Sequence, residues 1–179
     1  MRYNLACILT VALHDDEASL EVLQPYFERV NTAPQIKHTE ADPDFIRVRD
    51  MKGQFGDLKV KLNTDDFDLK LDTRGDSDIY VTRNAIAVDG QSGWHTHPGP
   101  SLVIVTQGTV TEYDGDDPSC TPHVYSASGT NSFVDIGSGA VHIIRDESGS
   151  VAKTVVVQLI QKAATRRIDV TPAPGNCSF

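Results

Sequence analysis

Residues 93–117 read GWHTHPGPSLVIVTQGTVTEYDGDD. The second half of this stretch alternates. In an extended chain Ser101, Val103 and Val105 fall on one face, a period of two that marks a strand. Gly108 then separates strand 101–106 from a second candidate at 109–113. The first half holds His95 and His97. Two residues apart in extended backbone, their imidazoles point the same way. A divalent metal needs such convergence, with neutral nitrogens about 2.0–2.2 Å from it. Alone, a His-x-His pair fits polar surface residues equally well.

Outward from this stretch the strand pattern continues. Leu58–Leu62 and Phe67–Leu71 alternate apolar and charged residues around the turn Asn63-Thr64-Asp65-Asp66, as for a hairpin with one wet face. Further candidates lie at 45–49, 79–88, 132–136, 140–145 and 153–161. Many short strands at close spacing predict a sandwich or barrel, not a parallel sheet with helices. Residues 14–32 read differently. Asp15 and Asp16 suit a helix start, and Leu20, Val22, Leu23 and Phe27 recur at near-helical spacing, with Pro25 kinking or shortening the helix. The apolar run Leu5–Leu13 reads as a buried strand or helix turn in preference to a signal-peptide core, because only Arg2 precedes it and no small-x-small cleavage site follows.

A second informative segment is Ser132–Asp146, SFVDIGSGAVHIIRD. His142 lies among apolar neighbours on a candidate strand, where a hydrogen-bonded core histidine is the ordinary reading. Taken together, the two segments resemble the cupin superfamily over about residues 80–160. The first motif reads His95, His97, Ser101 where the family has Glu, and Gly108. The second reads Gly137, Gly139, His142 and Asp146, with Gly137 replacing Pro and Asp146 replacing Asn. The resemblance implies an all-β double-stranded β-helix, the jelly-roll barrel of small single-domain cupins, carrying an N-terminal helical extension. The domains then run 1–43 for the extension, 44–162 for the barrel and 163–179 for an irregular C-terminal tail.

The resemblance further implies one divalent transition metal on His95, His97 and His142, with Fe(II) favoured over Mn, Ni or Zn. Because Ser101 cannot supply a carboxylate, the centre would carry one more positive charge and favour an anionic ligand. The competing reading is a cupin without metal, its histidines left as polar lining. Around the site, Ser101, Tyr113 and Gln158 are candidates to bind a substrate. Arg166-Arg167 reads as a solvated pair, and Trp94 as a packing residue. The implied activity is a dioxygenase-like oxidation of a small polar or anionic molecule. The alternatives are a non-enzymatic binding or sensing cupin, and a metal-assisted isomerase or lyase with His123 or Tyr113 carrying the proton.

Composition bounds the partners. The chain has 179 residues, 39% hydrophobic and 23% charged, with a formal net charge of -9. No basic patch stands out, so neither nucleic acid nor an anionic membrane is expected. No apolar run nears the ~20 residues a spanning helix needs. Residues 1–90 hold 17 of the 25 acidic groups, so the acidity lies mostly ahead of the motifs. Asp114, Asp116 and Asp117 read as an acidic hairpin turn, since no distal Glu completes a calcium loop. Cys120 and Cys177 both fall outside the candidate strands. Either they form a disulfide, implying an oxidising compartment, or they are free thiols in a soluble cytoplasmic protein. Cys7 reads as a buried thiol. A homodimer is a further expectation that no residue here tests.

Overall fold

A computed structural model describes residues 45–179, with side chains from residue 51 onward. The expected helix at 14–32, the apolar run 5–13 and Cys7 lie outside the described residues. The strands are β1 (Phe45–Phe55), β2 (Lys59–Asn63), β3 (Asp68–Asp72), β4 (Ser77–Ile86), β5 (His95–Thr96), β6 (Ser101–Gln107), β7 (Thr109–Asp114), β8 (His123–Ser126), β9 (Ser132–Asp135), β10 (His142–Arg145), β11 (Ala152–Gln161) and β12 (Ile168–Asp169). The described residues contain no helix. One sheet runs β1-β4-β11-β6-β9, a second β12-β5-β10-β7-β8, and β2-β3 form a hairpin of their own. Every pairing is antiparallel. This interleaving of non-consecutive strands in two five-stranded sheets is the double-stranded β-helix, a jelly-roll barrel.

The alternation read from β6 is realised side by side. Ser101, Val103 and Val105 are buried, while Leu102 and Ile104 are exposed. The apolar core draws on both sheets. Ile86, Val105 and Ala152 come from β4, β6 and β11, and Val110 and Ile144 from β7 and β10. Tyr125 and Phe133 stack at 4.4 Å beside them. Each such aliphatic side chain contributes roughly 1.5–3 kcal/mol by leaving water. Along β6 and β11 the interior then changes character. Past Val103 and Val156 it ends in Ser101 and Gln158, which face each other in register. A polar end of the barrel is thus built on an apolar floor.

Three sequence expectations change here. The β2-β3 hairpin was expected to bury one face, yet Val60, Leu62 and Leu69 are all more than a third exposed. Strand β8 falls where a loop was expected, and it carries the exposed His123. The segment 163–179 contains β12, which pairs Ile168 with Thr96 and Asp169 with His95. That pairing draws the end of the chain back across the strand that bears the first histidine.

Cys120 and Cys177 are joined by a disulfide, with Cα atoms 5.3 Å apart. Beside it, Asn176 donates from Nδ2 to the carbonyls of Asp114 and Asp117, each at 2.7 Å. Phe179 then packs on the Tyr113 ring at 4.9 Å, with the Arg145 guanidinium 3.9 Å from its centre. Trp94 lies parallel to Phe179 at 6.5 Å, so its packing partner is the chain terminus.

Candidate metal centre

The three histidines come from two segments of the chain, His95 and His97 from one and His142 from the other, and meet at the polar end. His95 on β5 sits directly opposite His142 on β10. Residues opposed in an antiparallel pair project to the same side of the sheet. The register therefore aims both rings at one point. His97 follows β5 on the turn toward β6. The ring centres lie 4.3 Å (His95–His142), 4.9 Å (His95–His97) and 5.5 Å (His97–His142) apart. Each residue offers one nitrogen, and these nitrogens all lie within 4.8 Å of one another. Among the described residues this is the group arranged to hold a metal ion.

Backbone carbonyls select which nitrogens are free. His95 Nδ1 donates to the Gly93 carbonyl at 2.8 Å, and His97 Nδ1 donates to the Arg166 carbonyl at 2.7 Å. A carbonyl only accepts, so the proton sits on Nδ1 and Nε2 keeps its lone pair. Protonation states point the same way. Burial holds His95 well below the ordinary imidazole value, with His142 and Arg167 adding to the effect. Burial likewise lowers His97, and lowers His142 to about 4. Three neutral imidazoles at neutral pH are the state a metal requires.

The turn after β9 supports the loop that carries His97. Ser138 donates its backbone N–H to the His97 carbonyl at 2.7 Å. Gly137 adopts φ +64°, and a Cβ there would stand 2.3 Å from the Gly99 carbonyl oxygen. Both the backbone conformation and the close approach require glycine. Asp146, at the Asn position of the second motif, is fully buried and accepts from Ser148 and Ala152 in the turn between β10 and β11.

Ser101 and Gln158 belong to this site. Gln158 Nε2 donates to Ser101 Oγ at 3.3 Å and to the Arg166 carbonyl at 3.2 Å, the same carbonyl that fixes His97. Arg166 Nε donates back to Gln158 Oε1 at 3.1 Å, and its guanidinium covers the Tyr80 ring at 4.3 Å. Arg167 is only 8% exposed and donates to the Ser92 carbonyl and to Asp169 at 2.6 Å. The expectation of a solvated arginine pair is therefore corrected. Pairing of β12 with β5 brings both residues to the site, and sequence distance could not show that.

Tyr113 does not join them. It opposes Ile143 on β10, one residue out of step with His142, and so projects from the other face. Its hydroxyl donates to Glu147 at 2.9 Å, and Phe179 covers its ring. One step along β7, Glu112 opposes Ile144 and is buried, while Asp114 opposes His142 but ends at the rim, its side chain 45% exposed beside His123. Sequence reading did not assign Glu112 to the interior, although the same alternation that placed Ser101 places it.

Glu112 leads to a first prediction. Burial, then the nearby Asp114 and Asp135 carboxylates, pushes it up to about 7 from 4.5. The folded protein thus holds this proton more tightly than the unfolded chain does. Its favourable contribution is complete below pH 4.5 and is lost as pH rises through 7. Glu112→Gln, which mimics the neutral acid, is expected to match wild type at pH 4. At pH 8.5 it should be more stable by up to about 3 kcal/mol. Denaturant unfolding at the two pH values measures this, and equal differences at both would contradict it.

No family model matches the chain, and no curated protein matches it. Among solved structures it is similar to an oxalate oxidase, at 22% identity and TM-score 0.43, over 51% of this chain and 46% of that one. It is similar also to a polyketide cyclase from Streptomyces resistomycificus, at 16% and 0.42, over 54% and 64%. A third is a conserved protein with a double-stranded β-helix domain from Klebsiella pneumoniae, at 15% and 0.43, over 51% and 76%. The chain spans about half the length of the oxalate oxidase. At these values the fold rests on the strand order and register described above.

Proposed function

We propose that this chain holds one divalent transition metal on His95, His97 and His142, and that it oxidises a small polar or anionic molecule there with O₂. The observation that carries the reading is the convergence of the three neutral imidazoles, two of them with Nδ1 engaged by backbone carbonyls. Fe(II) is the favoured occupant, ahead of Mn, Ni or Zn. When bound, such a metal supplies open coordination positions to substrate and oxygen. The chain's own residues supply the rest. Arg166 and Arg167 place positive charge beside the rings, as their effect on His97 records. Ser101 and Gln158 offer a fixed hydroxyl and amide at the same end of the barrel.

Loading the purified protein anaerobically with Fe(II), followed by an oxygen-uptake screen over small carboxylates, thiols and diketones, tests this. Stoichiometric Fe(II) and substrate-dependent O₂ uptake are the expected result. Stoichiometric metal with no uptake on any candidate would favour the non-enzymatic binding cupin. A second reading is favoured by Glu112, an inward-facing carboxyl pushed up to about 7. That value suits proton transfer at neutral pH in a metal-assisted isomerase or lyase. It replaces Tyr113, which faces away, and the exposed His123 as the proton carrier.

The partner is proposed to be a small molecule, not nucleic acid or membrane. A homodimer, also proposed, is to be read from sedimentation velocity. The Cys120–Cys177 bond favours an oxidising compartment over the cytoplasm.

A further inference from the structure

We propose that Asp135 supplies the carboxylate that the first motif lacks at Ser101, with Oδ2 serving as a fourth protein ligand beside His95, His97 and His142. The inference rests on the three-histidine metal reading above. It begins with register. Asp135 on β9 lies directly opposite Ser101 on β6. The two side chains therefore share a face, and the carboxylate has moved one strand across from the motif position.

The two carboxylate oxygens are treated differently. Oδ1 accepts the Gly137 backbone N–H at 2.8 Å, which anchors the side chain in one orientation. Oδ2 is buried and has no hydrogen-bond partner. An anionic oxygen without a donor in a barrel interior is costly, so something must answer it. Two histidine nitrogens of the metal site stand beside the carboxylate. Oδ2 lies 3.7 Å from His97 Nε2, and Oδ1 lies 3.7 Å from His142 Nδ1.

That separation discriminates between two roles. A charge-assisted hydrogen bond from a ring nitrogen to a carboxylate closes to about 2.7–2.9 Å. Two atoms bound to one metal at about 2.0–2.2 Å instead stand about 3.0 Å apart at a right angle and about 3.5 Å apart at the tetrahedral angle. The Oδ2–Nε2 distance of 3.7 Å lies beyond both values and nearer the second; Asp135 stands just outside the three-histidine group, and its carboxylate would close toward His97 to join a bound metal. His97 Nε2 is also the nitrogen left with its lone pair, so it cannot donate to Asp135 while Nδ1 keeps its proton for Arg166. A cation between the two lone-pair atoms satisfies both at once.

The assignment alters the charge of the site. The formal excess that follows from losing a Glu is taken back by Asp135. Any preference for an anion then comes from the remaining charge of the metal with Arg166 and Arg167.

Co(II) is the probe for the test, read by calorimetric affinity and by visible ligand-field absorption. Asp135→Asn keeps an oxygen for the Gly137 N–H and nearly the same shape, so the fold is retained, and thermal unfolding of the apo proteins checks this. Asp135→Ala is the second variant. The expected result is a loss of Co(II) affinity of about 10–100-fold or more in both, together with a changed absorption spectrum. A weakened affinity with an unaltered spectrum would mean that Asp135 only positions His142, and would overturn its role as a ligand. Unchanged affinity and spectrum would overturn it as well, while loss of binding in a His95→Ala, His142→Ala control would leave the three-histidine site standing. Failure of the wild-type protein to bind Co(II) at all would remove the three-histidine reading and this inference with it.

Discussion

A chain carrying His95→Ala and His142→Ala together is expected to bind Fe(II) at least about a thousandfold more weakly than wild type. The two rings oppose each other in register across β5 and β10. Removing both leaves His97 as the lone imidazole. Loss of even a group that merely supports a metal ligand costs about 10–100-fold in affinity, so two ligands lost together cost more. The effect has a stability counterpart. At a free metal concentration a thousand times the Kd, a site present only in the folded state adds about 4 kcal/mol. For a unit of this size, each kcal/mol moves the melting temperature by about 3–4 °C. Wild type should therefore melt on the order of 12–16 °C higher with Fe(II) than without it, and the double variant should show almost no shift. Anaerobic calorimetry and thermal scans in the presence and absence of metal measure both effects. An unchanged affinity in the double variant would end the metal reading of this site.

The second large effect concerns the tail. Cys177→Ser is expected to destabilise the protein by about 4 kcal/mol, and reduction of wild type should do the same. The bond joins residues separated by 57 positions, and in the chain-entropy account closing such a loop restrains the unfolded state by about that amount. The native state also has something to lose. The tail brings Phe179 over Tyr113 and Arg145, on the outer face of β7 and β10. Tyr113 and Ile143 are buried there although they face away from the barrel interior. Denaturant unfolding of wild type, reduced wild type and the variant measures the difference. Equal midpoints for oxidised and reduced protein would show that the bond restrains nothing.

The parts of the fold legible in the sequence are those with period two and sharp ends. β6 was readable because Ser101, Val103 and Val105 alternate with Leu102, Ile104 and Thr106, and Gly108 ends the run. β8 and β12 were not. His123–Ser126 is four residues long, two of them exposed and only Tyr125 packed against the core, and β12 is two residues long. Strands so short are made by their partners, not by their own pattern. The β2-β3 hairpin shows the converse. Its alternation is strong, and yet, Leu71 apart, its residues stay exposed, because alternation reports a capacity to bury a face and not the presence, among the described residues, of a surface to bury it against.

The site divides along the same line. The chain sequence by itself determined that His95 and His97 point one way, that Ser101 stands on an inward face, and that the motif lacks its Glu. These are local facts, set by the two-residue repeat of extended backbone. It also supplied the resemblance that joined His142 to the other two. Only the tertiary structure decided the rest. Strand register opposed His142 to His95 and sent Tyr113 outward, since a shift of one residue reverses every side chain. Pairing of β9 with β6 set Asp135 across from Ser101. Pairing of β12 with β5 brought the Arg166 carbonyl to His97 and turned two apparently solvated arginines into part of the site. Each of these joins residues distant in sequence, and hydrogen bonding between strands, which no local pattern encodes, is what chooses among the registers available.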